Sequence, residues 1–414
     1  MKTEASQRMK NVRQLLLGRS ISLMGSGIYT ICLPLYILKI SGSLTQMGFF
    51  YALTALPAVA FTIPLGIFVE RRNHKKILII CDVVSGTLFL FMALLSMNNR
   101  LEMLWLYAFG MMLGVIDRIF YLSSSVLFSE LNTSDTLEKM NGLKSICDNT
   151  ASVCAPMVGT MLFGAFGFTM VLLINAFSFL LSSLQEMLIE YPRIQSTEKS
   201  DKVRNQLKEG IHYVIHAKHI LAMFLLVMSL NFFVAPSEEI YYPGILIQLH
   251  HLPEAWYGFT SGCFVIGTLL AGILVYRIKN MNLERYMKEL FLANSSVMAF
   301  MGLLSLIMPS DWKLLFYLVF LILMMIEGML NAFVNIPLIS GFQRDVDISM
   351  QARFFSLLTF CSNLLIPIGI AYAGILSEWL RPDGAFIVQN LMVILLVMIV
   401  YYLKDKGSKK LEKS

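Results

Sequence analysis

Eight ionisable side chains lie inside stretches that are otherwise apolar: Arg19, Asp82, Asp117, Arg118, Asp148, Glu238, Glu239 and Glu327. A charge in hydrocarbon is expensive, so such residues are functional candidates by default. A buried carboxyl group favours its neutral form, can take a proton on one side of a membrane and can release it on the other. Asp117 and Glu327 sit near the middle of their apolar runs and suit that chemistry best. Arg118 follows Asp117 directly, so on a helix the two point about 100° apart and need not share a face. Arg118 can pair with either acid, and a buried Asp–Arg or Glu–Arg bridge that only fastens helices together stays open. Glu238 and Glu239 lie toward the outer end of their run, where they bind protons or a cationic solute or form a solvated rim. Asp148, beside Asn149, lies about a third of the way into its run. Asp117, Glu327, Arg118, Glu238, Glu239 and Asp148 are the proton-coupling candidates. Snorkelling or a salt bridge on the cytoplasmic side accounts for Arg19 and Asp82.

Other chemistries find little support. The six cysteines lie in or beside apolar runs without a C-x-x-C pair, so they read as buried thiols. His250-His251 lacks an evident third ligand, and no metal site is expected. No phosphate loop or nucleophile constellation is present, so the chain is expected to be neither an enzyme nor an ATPase, and to need no cofactor beyond protons as coupling ion. The net charge of +6 sits in loops and at the ends of apolar runs, which argues against nucleic acid as a partner.

The elements that must hold these charges are membrane spans. The chain is 57% hydrophobic and 14% charged, where a soluble domain carries about a quarter charged residues. Apolar runs long enough to cross about 30 Å of hydrocarbon recur, and such runs must be helical to satisfy their own backbone. They fall near 14–38, 47–69, 77–97, 103–129, 142–165, 167–190, 219–246, 256–276, 287–308, 314–340, 354–377 and 384–403. The basic N-terminus is followed by a run too long for a signal peptide and reads as the first span. With the N-terminus inside, 27 Lys and Arg fall on the inner side, four outside and two within spans. That asymmetry supports twelve spans and places both termini in the cytoplasm. Residues 191–218 are polar and become amphipathic at Val203–His216, as expected of a linker with a surface helix. The expected organisation is a six-helix bundle over 1–190, this linker, a second bundle over 219–403 and a basic tail over 404–414.

The halves carry matching residues. Gly48 and Gly258 open spans two and eight, 210 positions apart, and Ile116-Asp117 matches Ile326-Glu327 at the same offset. Gly66-Ile-Phe-Val-Glu70-Arg71 ends span two much as Gly272-Ile-Leu-Val-Tyr276-Arg277 ends span eight. Parallel repeats of this kind are one transporter layout. The loop from Gly66 to Lys76, with Glu70, Arg71, Lys75 and Lys76, resembles the signature loop of the major facilitator superfamily, with Glu where the family usually has Asp. In that family the loop locks the cytoplasmic gate; a plain basic anchoring loop would look similar.

Span five carries Gly142, Ala151, Ala155-Pro156 and Gly159 at the spacing of the family's drug–proton antiporter motif, with small residues replacing several glycines. Ordinary small-residue packing reads the same way. Ile40-Ser41-Gly42-Ser43, Leu207–Tyr213 and Ser129–Asn141 resemble the branch of macrolide-efflux proteins and the enterobactin exporter. The resemblance implies an all-α fold of two pseudo-symmetric six-helix bundles, with spans one, four, seven and ten lining a central cavity. Tyr29 and Asn331 fall mid-span on those elements. It further implies a monomeric multi-pass protein of a bacterial plasma membrane, exporting amphipathic small molecules by rocker-switch alternating access with proton coupling. A dedicated exporter or importer of a metabolite, siderophore or lipid shares the fold, and a membrane sensor that transports nothing is the more distant alternative.

Overall fold

The computed structural model describes residues 2–61, 65, 68–69, 72–132, 134–190, 211–277 and 283–411. Regular structure among them is helical throughout. In chain order the helices are α1 (Lys2–Ser41), α2 (Leu44–Ala60), α3 (His74–Met97), α4 (Met103–Leu131) and α5 (Ser134–Met187), then α6 (Lys218–Phe233), α7 (Glu254–Arg277), α8 (Met287–Ile307), α9 (Lys313–Asp345) and α10 (Ile348–Leu411). Two π-helical segments, Ser237–Tyr241 and Gly244–Leu249, lie between α6 and α7.

Local sequence sets the helix ends. Gly42, at φ 65°, turns the chain between α1 and α2, and the Ser43 hydroxyl then caps α2 by accepting from Gln46 N at 3.2 Å. Asn73 caps α3, its Oδ1 accepting from Lys76 N at 3.0 Å. Nine helical stretches among the described residues are long and apolar enough to cross a membrane, and the longest run Met140–Met187 and Arg353–Tyr402, 48 and 50 residues. At 1.5 Å per residue each is more than twice the depth of about 30 Å of hydrocarbon. Both are broken. Gly167 has φ 75° and ψ 178° within α5, and Arg381 has φ 59° and ψ 154° within α10. Pro382 explains part of the second break, because the residue before a proline is driven to extended ψ. The breaks lie between the expected spans five and six, and eleven and twelve.

The chain divides into two compact units. Unit 1 is Met1–Ile40, Leu53–Ser200 and Glu254–Gly258; unit 2 is Ser41–Ala52, Asp201–Pro253 and Phe259–Ser414. The expected bundles thus exchange short segments at the starts of α2 and α7. Both segments carry a glycine where backbones approach. In unit 2, a Cβ on Gly48 would lie 2.8 Å from the Ile370 carbonyl oxygen of α10. In unit 1, a Cβ on Gly258 would lie 2.6 Å from the Pro156 carbonyl oxygen of α5. Unit 1 has a buried cluster of Leu15, Leu16, Leu78, Leu127 and Phe128; unit 2 has one around Phe224, Phe291, Phe342 and Phe354. Many large apolar side chains stay exposed, Leu104, Ile307 and Leu314 among them, as a lipid-facing surface requires. Of the expected linker, 191–210 lie outside the described residues; 211–216 is helical, and Val214 packs into the core of unit 2.

Candidate functional site

In unit 1 the site begins on α4. Asp117 lies midway along this 29-residue helix and is exposed, as are Tyr121 and Ser125 at one and two turns further on. The three make a polar stripe on an apolar helix. The Arg118 guanidinium lies 5.5 Å from the Tyr121 ring centroid, and its buried Nε has no hydrogen-bond partner among the described residues. Tyr29 on α1 is buried, edge-on to Phe89 at 4.7 Å. It therefore belongs to the interior of unit 1, though Asp117 lies within electrostatic reach of its hydroxyl.

Arg19 is buried and does not snorkel. Its Nε and one terminal nitrogen donate to the two oxygens of Asp148 at 3.2 and 3.3 Å, and the other terminal nitrogen donates to Ser124 Oγ at 3.3 Å. This fork is the geometry in which an Arg–carboxylate pair is strongest. Asp82, by contrast, neither snorkels nor pairs: it is buried, and its oxygens have no hydrogen-bond partner among the described residues. Asp82 thus does not snorkel, because α3 turns it toward the interior of unit 1, and no salt bridge to it is found among the described residues.

The small residues of span five pack α5 onto its neighbours within unit 1. Ala151 and Ala155 are buried, and a Cβ on Gly27 of α1 would meet the Ala155 Cβ at 2.6 Å. A Cβ on Gly159 would meet Ile28 Cα at 3.1 Å, whereas Gly142 faces open space. Pro156 leaves its carbonyl to accept from Thr160 Oγ1 at 3.0 Å. Gly66, Glu70 and Arg71 of the expected gating loop lie outside the described residues. Lys75 donates to the Met187 carbonyl at the end of α5, 2.9 Å away, where a cation also suits the helix dipole; Lys76 is exposed.

Unit 2 gathers three acids. Glu327, midway along the 33-residue α9, is buried and accepts from the Tyr242 hydroxyl at 2.6 Å. Tyr242 stands between the π-helical segments, edge-on to Phe320 and Phe386 at 5.7 and 5.6 Å. Single-turn π segments recur at functional sites. Glu239 accepts from the Tyr51 hydroxyl, and Glu238, exposed, accepts from Ser261 Oγ at 3.3 Å. Glu238 is within electrostatic reach of Glu327. On α9, Asn335 Nδ2 donates to Asn331 Oδ1 at 2.8 Å, one turn beyond Glu327. A phenol can donate to a carboxylate or accept from a carboxylic acid. Hydroxyl partners therefore tolerate both protonation states of Glu327 and Glu239.

Sequence reasoning missed Tyr51, Tyr242 and Ser261 because they become partners only through packing. Pro236 and Pro243 were the available signal for an irregular stretch around Tyr242. His250 is buried and bonded to Ser305 Oγ at 3.0 Å. No group of three metal-ligating residues occurs among the described residues. The six cysteines are free, with Cys32 and Cys81 buried.

Residues 15–369 match the family model of the Major Facilitator Superfamily. Macrolide efflux protein A of Streptococcus pyogenes is 21% identical over 392 residues, spanning 92% of this chain and 93% of the relative. An uncharacterized MFS-type transporter of Bacillus subtilis, YfiS, is 22% identical over 402 residues, spanning 95% and 93%. Among solved structures, the nucleoside transporter NupG superposes with a TM-score of 0.76 at 13% identity, over 95% of this chain and 98% of that one. A bacterial homologue of the iron transporter ferroportin superposes at 0.74 and 16% identity, over the same shares.

Proposed function

This chain belongs to the major facilitator superfamily, and on that premise we propose that it is a proton-coupled exporter of amphipathic small molecules, macrolide-like compounds among them. It crosses a bacterial plasma membrane twelve times with both termini in the cytoplasm, and works by alternating access as a monomer. The breaks at Gly167 and Arg381 support the span count, since each divides a helix too long for one crossing. The Lys and Arg distribution supports the orientation. Export is favoured by relatives named macrolide efflux proteins.

The observation that carries the reading is Glu327. It is a buried carboxyl midway along an apolar helix, held by a phenol that serves both protonation states. Asp117, at the corresponding place on α4 and exposed, is the second coupling residue. Proton binding at one or both alternates with binding of the solute. The test uses everted vesicles with an imposed pH gradient, reading uptake of a macrolide. Glu327→Gln or Asp117→Asn should abolish the response to the gradient while leaving the chain inserted. Gradient-driven uptake that survives in both variants overturns the assignment.

A further inference from the structure

A second set of acids in unit 1 has no role in the reading above. Asp82 on α3 and Glu186 in the last turn of α5 are 1% and 0% exposed. None of their four carboxyl oxygens has a hydrogen-bond partner among the described residues. The two acids lie within electrostatic reach of each other, and Asp117 within reach of Asp82.

Their surroundings form a buried polar seam between α1, α3 and the second arm of α5. Ser182 is fully buried, beside Asp82, and donates its one hydroxyl proton to the Gly18 carbonyl at 3.0 Å. A Cβ on Gly18 would lie 3.3 Å from Ser182 Oγ and 3.5 Å from Glu186 Cγ, so glycine leaves room for the acid. Farther along the same face of α5, Asn175 is 0% exposed with both amide atoms unpartnered among the described residues.

Among the described residues of unit 1, the cations contact other groups or are exposed. Arg19 holds Asp148, Lys75 holds the Met187 carbonyl, and His74 Nδ1 sits 3.0 Å from Glu130 Oε2. Arg118 lies over Tyr121, Lys144 over Phe128, and Lys76 is exposed. An unpaired buried carboxylate is costly, and two neighbouring ones cannot both ionise cheaply.

We propose that Asp82 and Glu186 form a proton-holding carboxyl pair that links Asp117 to the cytoplasmic end of unit 1. The inference rests on the proton-coupled reading and gives the coupling proton its inner route. One proton leaves the Asp117 carboxyl for the Asp82 carboxylate, through water where the gap requires it. Asp82 hands a proton to Glu186, and Glu186 hands one to cytoplasmic water, so one proton enters and one leaves with no change of oxidation state.

The test is pH-difference infrared spectroscopy of the full chain in lipid vesicles, in H2O and D2O, with protons as the only probe. In the wild type, a protonated-carboxyl band should titrate with pH, and it should persist in Asp117→Asn. One component of it should shift in Asp82→Asn and in Glu186→Gln and be lost in the double variant, while the component from Glu327 remains. The single variants keep the test decisive if the double variant does not fold. A band absent from the wild type, unaltered in both single variants or constant across the pH range overturns the pair. A band that follows sodium in place of pH also overturns it. Because no solute is involved, the failures separate. Titration without gradient-driven transport sinks the exporter reading and leaves the pair standing, whereas coupled transport with the band untouched in the variants sinks the pair.

Discussion

Replacing Asp148 is expected to damage the protein more than replacing Arg19, although each substitution removes the same ion pair. The Arg19 side chain is 9% exposed and that of Asp148 33%. Two charges about 4 Å apart attract by about 4 kcal/mol at an effective dielectric near 20, before desolvation is counted. Removing one member of a buried pair typically costs ~3–5 kcal/mol, mostly from the stranded partner. Asp148→Asn strands a nearly buried guanidinium with only Ser124 Oγ at 3.3 Å, so a cost of about 3 kcal/mol is expected. Arg19→Gln leaves Asp148 a third open to solvent, which discounts its penalty to about 1–2 kcal/mol. The double variant should fall short of the sum by about 1–3 kcal/mol, since neither charge is then stranded. The assay is thermal unfolding in detergent, followed with a thiol-reactive dye that reports Cys32 and Cys81 as they become accessible. Equal shifts for the two single variants, or additivity in the double, would refute the stranded-charge argument. A fully stable Asp148→Asn that no longer responds to a pH gradient would instead make Asp148 a coupling residue.

Tyr242→Phe removes the hydroxyl donor of Glu327, worth about 1.5–3 kcal/mol when the acid is ionised. Gradient-driven transport should fall, while Tyr241→Phe, whose hydroxyl bonds Gln389 at 2.7 Å, spares it; equal effects would count against Glu327 as the coupling acid. Gly48→Val pushes a side chain into the Ile370 backbone, and overpacking of this kind costs ~1–3 kcal/mol. Its unfolding temperature should drop, against no change for Gly142→Ala, which faces open space. Burial holds the proton affinity of His250, just after the second π-helical segment, below the usual histidine range, with Lys313 and Arg381 acting the same way and Ser305 and Asp383 opposing. The folded protein thus keeps His250 neutral where the unfolded chain, titrating near pH 6.5, is protonated. Its contribution is full above about pH 6.5 and lost as pH falls below, so His250→Gln should flatten the decline in unfolding temperature from about pH 7.5 to 5.5.

Much of the candidate site was readable one residue at a time. An acid or arginine inside an apolar run declares itself by cost alone, which is how Asp117, Arg118, Asp148 and Glu327 were found. Partners were not readable, because a pair such as Arg19–Asp148 joins residues 129 positions apart through the packing of α1 against α5. Glu186 escaped notice because it closes an apolar run, where a charge looks like a helix end. Its signal was periodic: Asn175, Ser178, Ser182 and Glu186 recur at three- and four-residue steps, one face of a helix.

The sequence alone determined that the chain is a helical membrane protein, since hydrocarbon leaves runs of this length no other way to satisfy their backbone. It also marked where glycine and proline interrupt those runs, and which spans carry charge. Only the tertiary structure decided what each charge meets. Asp82 and Asp148 are both acids in the first half of apolar helices, indistinguishable by composition. The angle at which α3 and α5 pack on α1 puts one beside an arginine and leaves the other facing a second acid.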